Sequence, residues 1–504
     1  MTEGLLYIGL DLGTSGMKGV ALASDGSVAA RSQAAYLTRR PSPRAAEQDA
    51  TDWIRAIKSV VTELGRQSDP ESWVGIGLSG MLPTLVTLDS EAVPNGPALT
   101  WEDSRADSQG EQLRERVGAE AVYLATGQWL DGRYLLPMFQ RITDEEPARA
   151  AVTAAICSAK DYLFLYLTGV FATDPSTASG FGCYELKSGA WAAPLLSASA
   201  TTLPGGVPRL PEILPSNATR PLKPEVATAM GLPEGLPICL GAADSVLGAL
   251  GLGVKADGEV AYVAGTSSVI LGVSSRLVFD PSHRYLITPM AEDGIWGLEM
   301  DLLATGSSLA WLGGMISQSR SVGAVGELAA NLDPEDAPVF LPYLGGGEQG
   351  ALWDPVLQGA LIGLSLRHDR GHVARALLNG IVLESRRCLA VLDEAGLPPL
   401  AIHLAGGSAA VPGFARELAD ATRRRVSVPP DGDTDSSAAG AAMLVARALP
   451  MPGTPARKAA VSSGEIEPDA GRSAVWDRLF ARHDRALAAV RTFFEGAQEE
   501  EQVE

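Results

Sequence analysis

The sequence has few cysteines and few basic residues, and both shortages exclude classes of protein. Its four cysteines, Cys157, Cys183, Cys239 and Cys388, form no C-x-x-C pair, so reduced thiols are expected rather than a disulfide framework. Only 40 lysines and arginines stand against 60 aspartates and glutamates, which gives a net charge of -20. This excess of negative charge argues against non-specific binding to nucleic acid or to an acidic membrane surface.

Long apolar runs and several well-known site motifs are also missing. No apolar run reaches the roughly 18 residues of a membrane span, and a strand that begins at Leu5 leaves no room for a signal peptide, so we expect a cytoplasmic protein. The sequence contains no G-x-x-x-x-G-K-[ST], which excludes a P-loop kinase. The G-x-G-x-x-G at 75–80 leads into Met81-Leu82-Pro83 rather than a helix, so it does not predict a dinucleotide site.

The opening stretch of the chain carries the first candidate site. Leu5–Leu10 is a short apolar run that predicts a buried strand, and Val20–Ala23 returns as a second strand. Asp11, between them, offers a carboxylate for a metal ion. The small, hydroxyl and basic residues of the same turn can face an anion: Gly13, Thr14, Ser15 and Lys18. These residue types suit the binding of Mg·ATP, and a hairpin with a plain polar turn is the alternative.

The same plan occurs again near the middle of the chain. A strand over Val260–Ala264 is followed by Gly265, Thr266 and Ser267, and then by a strand over Val269–Val273. Gly-Thr-Ser thus stands at the same place in two predicted hairpins. Since the 504 residues exceed what one core usually serves, the repeat predicts two related domains that face one ligand.

Two further loops carry candidate residues. Asp244 follows the predicted strand Pro237–Leu240 and is a lone carboxylate among small residues, which suits a proton acceptor. A helix cap is the alternative, because aspartate is common at the start of a helix. The glycine-rich loop after the strand Ile402–Ala405 is either a ligand loop or a plain strand-to-helix turn, and it comprises Gly406, Gly407 and Ser408.

With these pieces in place, the sequence resembles the FGGY carbohydrate kinases, and among them the xylulokinase-type pentulose kinases. The matching motifs come in family order over about residues 5 to 450. They are DLGTSGMK (11–18), EQD (47–49), SG (79–80), W-x-D-x-R (101–105), AKDYL (159–163), TGVFATD (168–174), GAADSVLGALGLG (241–253), GTSS (265–268), LPYL (341–344), WDP (353–355), GGS (406–408) and AAGAA (438–442).

The resemblance implies a fold and a domain plan. The fold is α/β, with two duplicated ribonuclease H-like domains of the actin/heat-shock-chaperone ATPase type and an interdomain cleft that binds ATP and Mg²⁺. Residues 1–245 are the expected N-terminal domain, with the sugar site and part of the phosphate site. Residues 246–450 are the expected C-terminal domain, with the nucleotide site, and 451–504 form a linker and a C-terminal helix with an acidic tail.

The resemblance also implies roles for the candidate residues. Asp244 matches the catalytic base, and Asp11 is the candidate metal carboxylate. Thr14, Ser15 and Lys18 are assigned to the γ-phosphate, residues 265–267 to the other phosphates, and residues 406–408 to the adenine side. Asp103 and Arg105 lie in the sugar-contacting W-x-D-x-R segment, where a surface ion pair is the alternative. The full set of substrate candidates is Leu82, Pro83, Asp103, Arg105, Asp244 and Ser245.

The sugar-contacting positions depart from the family pattern. Where xylulokinases usually read SGQMHG, residues 79–84 read SGMLPT, so a Met-His pair has become Leu82-Pro83. A proline cannot donate the hydrogen bond that a histidine would. Met138 stands in place of a family lysine, and Ser245 in place of a common asparagine. The residues assigned to the phosphates therefore match the family pattern, while those assigned to the sugar pocket depart from it.

These observations predict an ATP-dependent kinase that phosphorylates a hydroxyl of a small sugar, with a pentulose such as D-xylulose as the first candidate. Another ketose, a polyol or an aldonate is the alternative substrate. A non-catalytic sugar and ATP sensor on the same fold, or a kinase-derived binding protein, is the alternative function. The expected partner is a small molecule, with no nucleic acid and no membrane, and the sequence leaves a homodimer open.

Overall fold

The structure, a computed structural model, falls into two compact units. It describes residues 4–200, 205–317, 321–354, 356–429, 435–451 and 464–501. Unit 1 holds 4–200, 205–251, 287–297 and 435–451, and unit 2 holds 252–286, 298–317, 321–354, 356–429 and 464–501. The linker predicted after residue 450 falls largely on 452–463, which lie outside the described residues.

Unit 1 is built from strands and helices in alternation. Its strands are β1 Leu6–Leu12, β2 Gly16–Ala23, β3 Val28–Ala35, β4 Glu47–Gln48, β5 Trp73–Gly80, β6 Thr84–Leu88, β7 Ala98–Thr100, β8 Ala155–Ser158, β9 Ala172–Thr173, β10 Tyr184–Glu185, β11 Ala190–Trp191, β12 Glu212–Ile213, β13 Thr219–Pro221 and β14 Pro237–Ala243. The helices among them are α1 Ala50–Gln67, α2 Asp107–Val117, α3 Ala119–Thr126, α4 Leu135–Glu145, α5 Pro147–Val152, α6 Ala159–Thr168, α7 Pro175–Ser179, α8 Ala193–Ala200, α9 Pro224–Met230 and α10 Asp244–Gly251.

Unit 2 also contains both strands and helices. One helix of the same stretch of chain belongs to unit 1. The strands of unit 2 are β15 Glu259–Ala264, β16 Ser268–Ser274, β19 Val339–Leu341, β20 Ala360–Ile362, β21 Ala401–Ala405, β22 Arg425–Val428 and β23 Gly464–Ile466, and both β17 Leu286–Pro289 and β18 Trp296–Leu302 cross the division between the units. The helices are α11 Gly306–Ile316, α12 Val322–Ala329, α13 Arg370–Glu394, α14 Phe414–Thr422, α15 Ser436–Ala448, which belongs to unit 1, and α16 Ala470–Glu501.

Local sequence explains where the first long helix begins and which face it buries. Asp49 caps α1, because its carboxylate accepts the Thr51 N–H at 2.9 Å. Trp53, Ile57 and Val60 recur at helical spacing, and all three are fully buried. They pack against the apolar side chains of β1 and β5 in one core cluster. The amphipathic pattern of α1 therefore fixes it on one face of the main sheet.

The main sheets of the two units share one plan. In unit 1 the sheet order is β13-β14-β5-β1-β2-β3, where β1 is antiparallel to β2 and parallel to β5. In unit 2 the order runs β18-β16-β15-β21-β22-β23, where β15 is antiparallel to β16 and parallel to β21. Each unit thus begins its sheet with a hairpin and extends it with parallel strands. The duplicated α/β fold predicted from the repeated hairpin is confirmed.

Helix α15 touches its neighbours backbone to backbone. A Cβ placed on Gly9 of β1 would lie 1.8 Å from the Ala438 carbonyl oxygen, and one on Gly440 would lie 1.8 Å from the Leu247 carbonyl oxygen of α10. A Cβ on Gly251 would meet the Ser436 oxygen at 2.0 Å. Only glycine permits these approaches, so the small residues of 436–448 seat the helix directly on β1 and α10.

No helix in the described ranges is long and apolar enough to cross a membrane.

The backbone packing of α15 can be tested with two helical glycines. Gly440→Ala should lower the melting temperature by about 2–5 °C, because an overpacked core typically loses about 1–3 kcal/mol and a unit of this size shifts by about 1.7 °C per kcal/mol. Gly323→Ala in α12 is the matched control, since among the residues that the structure describes its Cβ would meet only the Ser321 hydroxyl, at 3.5 Å. That variant should keep or slightly raise the melting temperature. Calorimetry measures both, and equal melting temperatures for the two variants would contradict the packing described.

Candidate functional site

Four neighbouring strands of unit 1 bring the predicted residues to one edge of the sheet. Asp11 on β1 stands opposite Lys18 on β2 and opposite Ser79 on β5. Gly80, the last residue of β5, stands opposite Ala243, the last residue of β14. Asp244 follows directly. Because β1, β5 and β14 are parallel, their carboxyl ends meet at the same edge, where ligands of α/β sheets usually bind.

Asp11 is held by the strand beside it. The Ser79 hydroxyl donates to Asp11 Oδ1 at 2.7 Å. Burial raises the pKa of the Asp11 carboxyl, while the Ser79 hydrogen bond and the charge of Lys18 act in the opposite direction. Hydrogen bonds and neighbouring charges offset only part of the cost of burying this negative charge, and a nearby cation stabilises such a carboxylate. This charge balance suits a cation beside Asp11, and the metal role of Asp11 stays a prediction.

The turn over residues 13–16, the unit 1 turn, is fixed through its carbonyl groups. The Gly13 N–H donates to the Gly16 carbonyl at 3.1 Å, and the Tyr36 hydroxyl donates to the Gly13 carbonyl. The Gln48 amide donates to the Thr14 carbonyl at 2.7 Å. In a trans peptide the next N–H points opposite to the carbonyl, so the N–H groups of Thr14 and Ser15 face away from Tyr36 and Gln48. Such N–H groups suit a phosphate.

Lys18 has an acidic neighbour that sequence analysis missed. Asp435, directly before α15, has its carboxylate 3.7 Å from Lys18 Nζ and 3.3 Å from Arg31 Nε. The carboxylate also acts to raise the pKa of Asp11. Asp435 is far from the unit 1 turn in sequence, so no local signal pointed to it. It lies beside Lys18, which stands opposite Asp11 at the edge of the sheet.

Asp244 opens helix α10 and is partly buried. Its Oδ1 accepts the Ser245 N–H at 2.8 Å, and its backbone carbonyl accepts the Ser437 hydroxyl of α15 at 2.9 Å. This bond joins adjacent residues, whereas an N-cap carboxylate accepts the N–H two or three residues further on, so the bond does not decide between a cap and a proton acceptor. A proton-accepting role is compatible with this bond, since a carboxylate has further lone pairs.

Asp103 and Arg105 form a cluster with Glu47. Asp103 is 1% exposed, and its Oδ2 accepts the Ala46 N–H at 3.0 Å. The Arg105 guanidinium lies 2.5 Å from Asp103 Oδ2 and 2.8 Å from Glu47 Oε1. An ion pair is therefore present, but it is largely buried and is not the surface pair of the alternative interpretation. Sugar contact by Asp103 and Arg105 stays a prediction, and Glu47 of the EQD motif joins them although no site role was predicted for it.

The altered substrate segment lies beside helix α7. Leu82 and Pro83 are partly exposed, and a Cβ on Gly180 would come within 3.4 Å of Leu82 Cδ1 and 3.5 Å of Pro83 Cα. Met138 is different: it has no exposed surface and belongs to a buried apolar cluster of unit 1. The expectation that Met138 makes a pocket wall apolar is therefore not supported, and Leu82-Pro83 carries that argument alone.

Unit 2 brings its two predicted loops together. The turn over residues 265–267, the unit 2 turn, has the Ser408 hydroxyl 3.5 Å from its Gly265 carbonyl. Gly406 has a φ of 94°, and a Cβ there would lie 2.5 Å from the Ala264 carbonyl oxygen. Only glycine fits this approach with that backbone conformation. The glycine loop 406–408 therefore packs directly against the end of β15.

A third segment, missed by sequence analysis, completes this group. The Gly306 N–H donates to the Gly265 carbonyl at 3.1 Å, and the N–H groups of Thr305 and Ser307 donate to the Thr266 carbonyl at 3.1 and 3.0 Å. By the same peptide geometry, the N–H groups of Thr266 and Ser267 face away from these donors. The small and hydroxyl residues of 305–308 after β18 were the available signal.

Comparison with known proteins now identifies the family. Residues 6–251 match the N-terminal domain, and residues 260–449 the C-terminal domain, of the FGGY family of carbohydrate kinases. The chain is 30% identical over 440 residues to the xylulose kinase of Escherichia coli K12, covering 87% of this chain and 89% of that protein. The chain belongs to the FGGY family and is a carbohydrate kinase.

Two further relatives bear on the substrate. A crystal structure of the xylulose kinase from Rhodospirillum rubrum superposes with a TM-score of 0.88 and 30% identity, covering 97% of this chain and all of that one. The gluconokinase of Bacillus licheniformis is 27% identical over 451 residues, covering 87% of this chain and 86% of that protein. The relatives are kinases, which gives no support to the sensor alternative, and they differ in substrate.

The role of Asp244 can be tested with an isosteric variant. Asp244→Asn should lower kcat by about 10²–10⁴-fold, because it removes the proton acceptor and keeps the side-chain shape. ATP affinity, measured by calorimetry, should stay within about twofold.

Asp333→Asn is the matched control, because Asp333 also accepts an N–H at the start of a short helix, from Glu335 at 2.9 Å. Its kcat should be unchanged. A kcat for Asp244→Asn above about a tenth of the wild-type value would show that Asp244 is not the base.

Proposed function

We propose that this kinase transfers the γ-phosphoryl group of ATP to a hydroxyl of a small sugar, with a pentulose such as D-xylulose as the first candidate. The observation that supports this most directly is the strand register that sets Lys18, Asp11 and Asp244 at one edge of the unit 1 sheet. Phosphoryl transfer needs a proton acceptor, a positive charge and a metal carboxylate, and each of these residue types is present.

The reaction assigns one task to each group. Asp244 takes the proton of the sugar hydroxyl as its oxygen attacks the γ-phosphorus, and the bond to the bridging oxygen of ADP breaks. Lys18 and the outward N–H groups of the unit 1 turn stabilise the negative charge on the γ-phosphate. Residues 265–267 are assigned to the remaining phosphates and residues 406–408 to the adenine side, both within the proposed domain 246–450.

Asp11 is the residue proposed to bind Mg²⁺, through a water molecule. Described residues include no group of three or more acidic, histidine or cysteine side chains that could enclose a metal. Mg²⁺ suits such a site, because it keeps several waters and usually takes one or two carboxylates plus substrate phosphates. When bound, the ion neutralises charge on the phosphates.

The sugar candidates lie in the proposed domain 1–245. Leu82 and Pro83 present apolar surface where the family pattern has a hydrogen-bonding pair. Asp103 and Arg105 can offer a hydrogen bond only from the atoms that the Glu47 cluster leaves accessible, since Arg105 is 18% exposed. A pocket with one donor fewer binds a fully hydroxylated sugar less tightly. A gluconokinase relative keeps the aldonates among the candidates.

The magnesium assignment predicts a variant with a changed metal requirement. Asp11→Asn should raise the Mg²⁺ concentration for half-maximal activity by about 10–100-fold. Titration of Mg²⁺ into the ATP-bound protein, followed by calorimetry, should show the same shift without turnover. Ser79→Ala is the control, because it removes the hydroxyl on Asp11 and keeps the carboxylate; its shift should be severalfold smaller. Equal requirements in Asp11→Asn and wild type would contradict the assignment.

The substrate prediction is tested by a panel. ADP release should be measured with pentuloses, hexuloses, polyols, deoxy-sugars and aldonates, using Asp244→Asn as the background control. We expect D-xylulose to be a weak substrate, with a KM raised about two- to tenfold for the lost hydrogen bond, and another member of the panel to be better. A submillimolar KM and fast turnover on D-xylulose, with no better substrate in the panel, would contradict this prediction and indicate an ordinary xylulokinase.

A further inference from the structure

A buried ionic cluster in unit 1 contacts β14, the strand that leads to the proposed base Asp244. Lys160 is 1% exposed, and Asp161 and Asp174 have no exposed surface. The Lys160 ammonium lies 3.2 Å from Asp161 Oδ1 and 3.1 Å from Asp174 Oδ1. Burial raises the pKa of Asp161 to about 6. Buried charges are costly unless hydrogen bonds satisfy them, so the partners of this cluster show what it holds in place.

Asp174 is the centre of these hydrogen bonds. Its Oδ2 accepts the Ser176 N–H at 3.0 Å and the Ser176 hydroxyl at 2.5 Å. The same oxygen accepts the Ser216 hydroxyl at 3.2 Å. We call Lys160, Asp161, Asp174, Ser176 and Ser216 the Asp174 network. Both serines are buried and carry the network to a single strand, β14.

Strand β14 contains a bulge just before the base. Cys239 stands opposite Gly77, but Ala242 stands opposite Ser79, so three steps on β14 match two on β5. One extra residue is therefore inserted at Leu240 and Gly241. A one-residue slip sends every following side chain to the other face of a sheet, and bulges near active sites re-aim side chains in this way. The direction of Asp244 depends on this insertion.

The Asp174 network bonds the bulge at three points. Lys160 Nζ donates to the Leu240 carbonyl at 3.2 Å, and the Ser216 carbonyl accepts the Gly241 N–H at 2.9 Å. The Ser176 hydroxyl accepts the Ala243 N–H at 2.9 Å. These bonds take up backbone groups on both sides of the inserted residue. The last of them fixes the residue that directly precedes Asp244.

We propose that Asp174 and Ser176 are positioning residues that fix the β14 bulge and thereby aim the Asp244 carboxylate at the substrate hydroxyl. The proposal rests on the proposed role of Asp244 as the base. Neither residue contacts the reacting atoms. Their effect should therefore appear in the rate of proton acceptance rather than in nucleotide binding, since a misplacement of about 1 Å can cost on the order of 10²-fold in rate.

Ser176→Ala tests this directly, because it removes the hydroxyl between Asp174 and Ala243 and leaves every charge in place. We expect kcat to fall about 10–100-fold, with KM for Mg·ATP and ATP affinity by calorimetry within twofold of wild type. Ser176→Thr, which keeps the hydroxyl, should recover most of the lost kcat. Ser179→Ala is the matched control on the same helix, because its hydroxyl bonds only to the Pro175 carbonyl among the described contacts.

The outcomes separate this inference from the proposed function. A Ser176→Ala kcat equal to that of Ser179→Ala overturns the positioning role, whatever Asp244 does. A wild-type kcat for Asp244→Asn overturns the base assignment instead. If Ser176→Ala fails to bind ATP, Ser216→Ala replaces it and should lower kcat severalfold at unchanged KM for Mg·ATP. An unchanged kcat in Ser216→Ala then counts against the proposal.

Discussion

The arrangement of unit 1 depends on the direct contact between helix α15 and the backbone of β1 and α10. Gly9 and Gly440 allow the helix to sit where any Cβ would meet a carbonyl oxygen at 1.8 Å. Because α15 lies so close, Asp435 at its start reaches Lys18, and Ser437 reaches the carbonyl of Asp244. One packing constraint therefore sets the positions of two groups that the phosphoryl-transfer proposal requires.

Local sequence patterns predicted much of this structure. Short apolar runs gave both hairpins, and the repeated Gly-Thr-Ser gave their equivalence, because strand propensity and turn chemistry act over a few neighbouring residues. Asp11, Lys18 and Asp244 also came from local patterns, since Asp11 and Lys18 flank the first tight turn and Asp244 directly follows a strand. The family resemblance ordered these pieces and supplied the function class, which the comparisons confirm.

Contacts between distant segments could not be predicted in this way. The strand ending at Leu240 was expected to stop before Gly241, yet β14 continues to Ala243 through a bulge that buried side chains from other segments support. The bonds from Thr305–Ser307 to the unit 2 turn, and the pairing of Asp435 with Lys18, depend on tertiary packing. Met138 shows the opposite error, because a family position was expected at a pocket and lies in the core.

The two turns are held by different chemistry, and this has a consequence for how each tolerates sequence change. The Gly13 and Thr14 carbonyls of the unit 1 turn accept hydrogen bonds from the side chains of Tyr36 and Gln48, whereas the Gly265 and Thr266 carbonyls of the unit 2 turn accept main-chain N–H groups as well as hydroxyls. A point substitution can delete a phenol or an amide, but it leaves a main-chain N–H in place unless proline is introduced. The unit 1 turn is therefore the more sensitive of the two to point substitutions, and substitutions at positions 36 and 48 are the ones that would remove its hydrogen bonds.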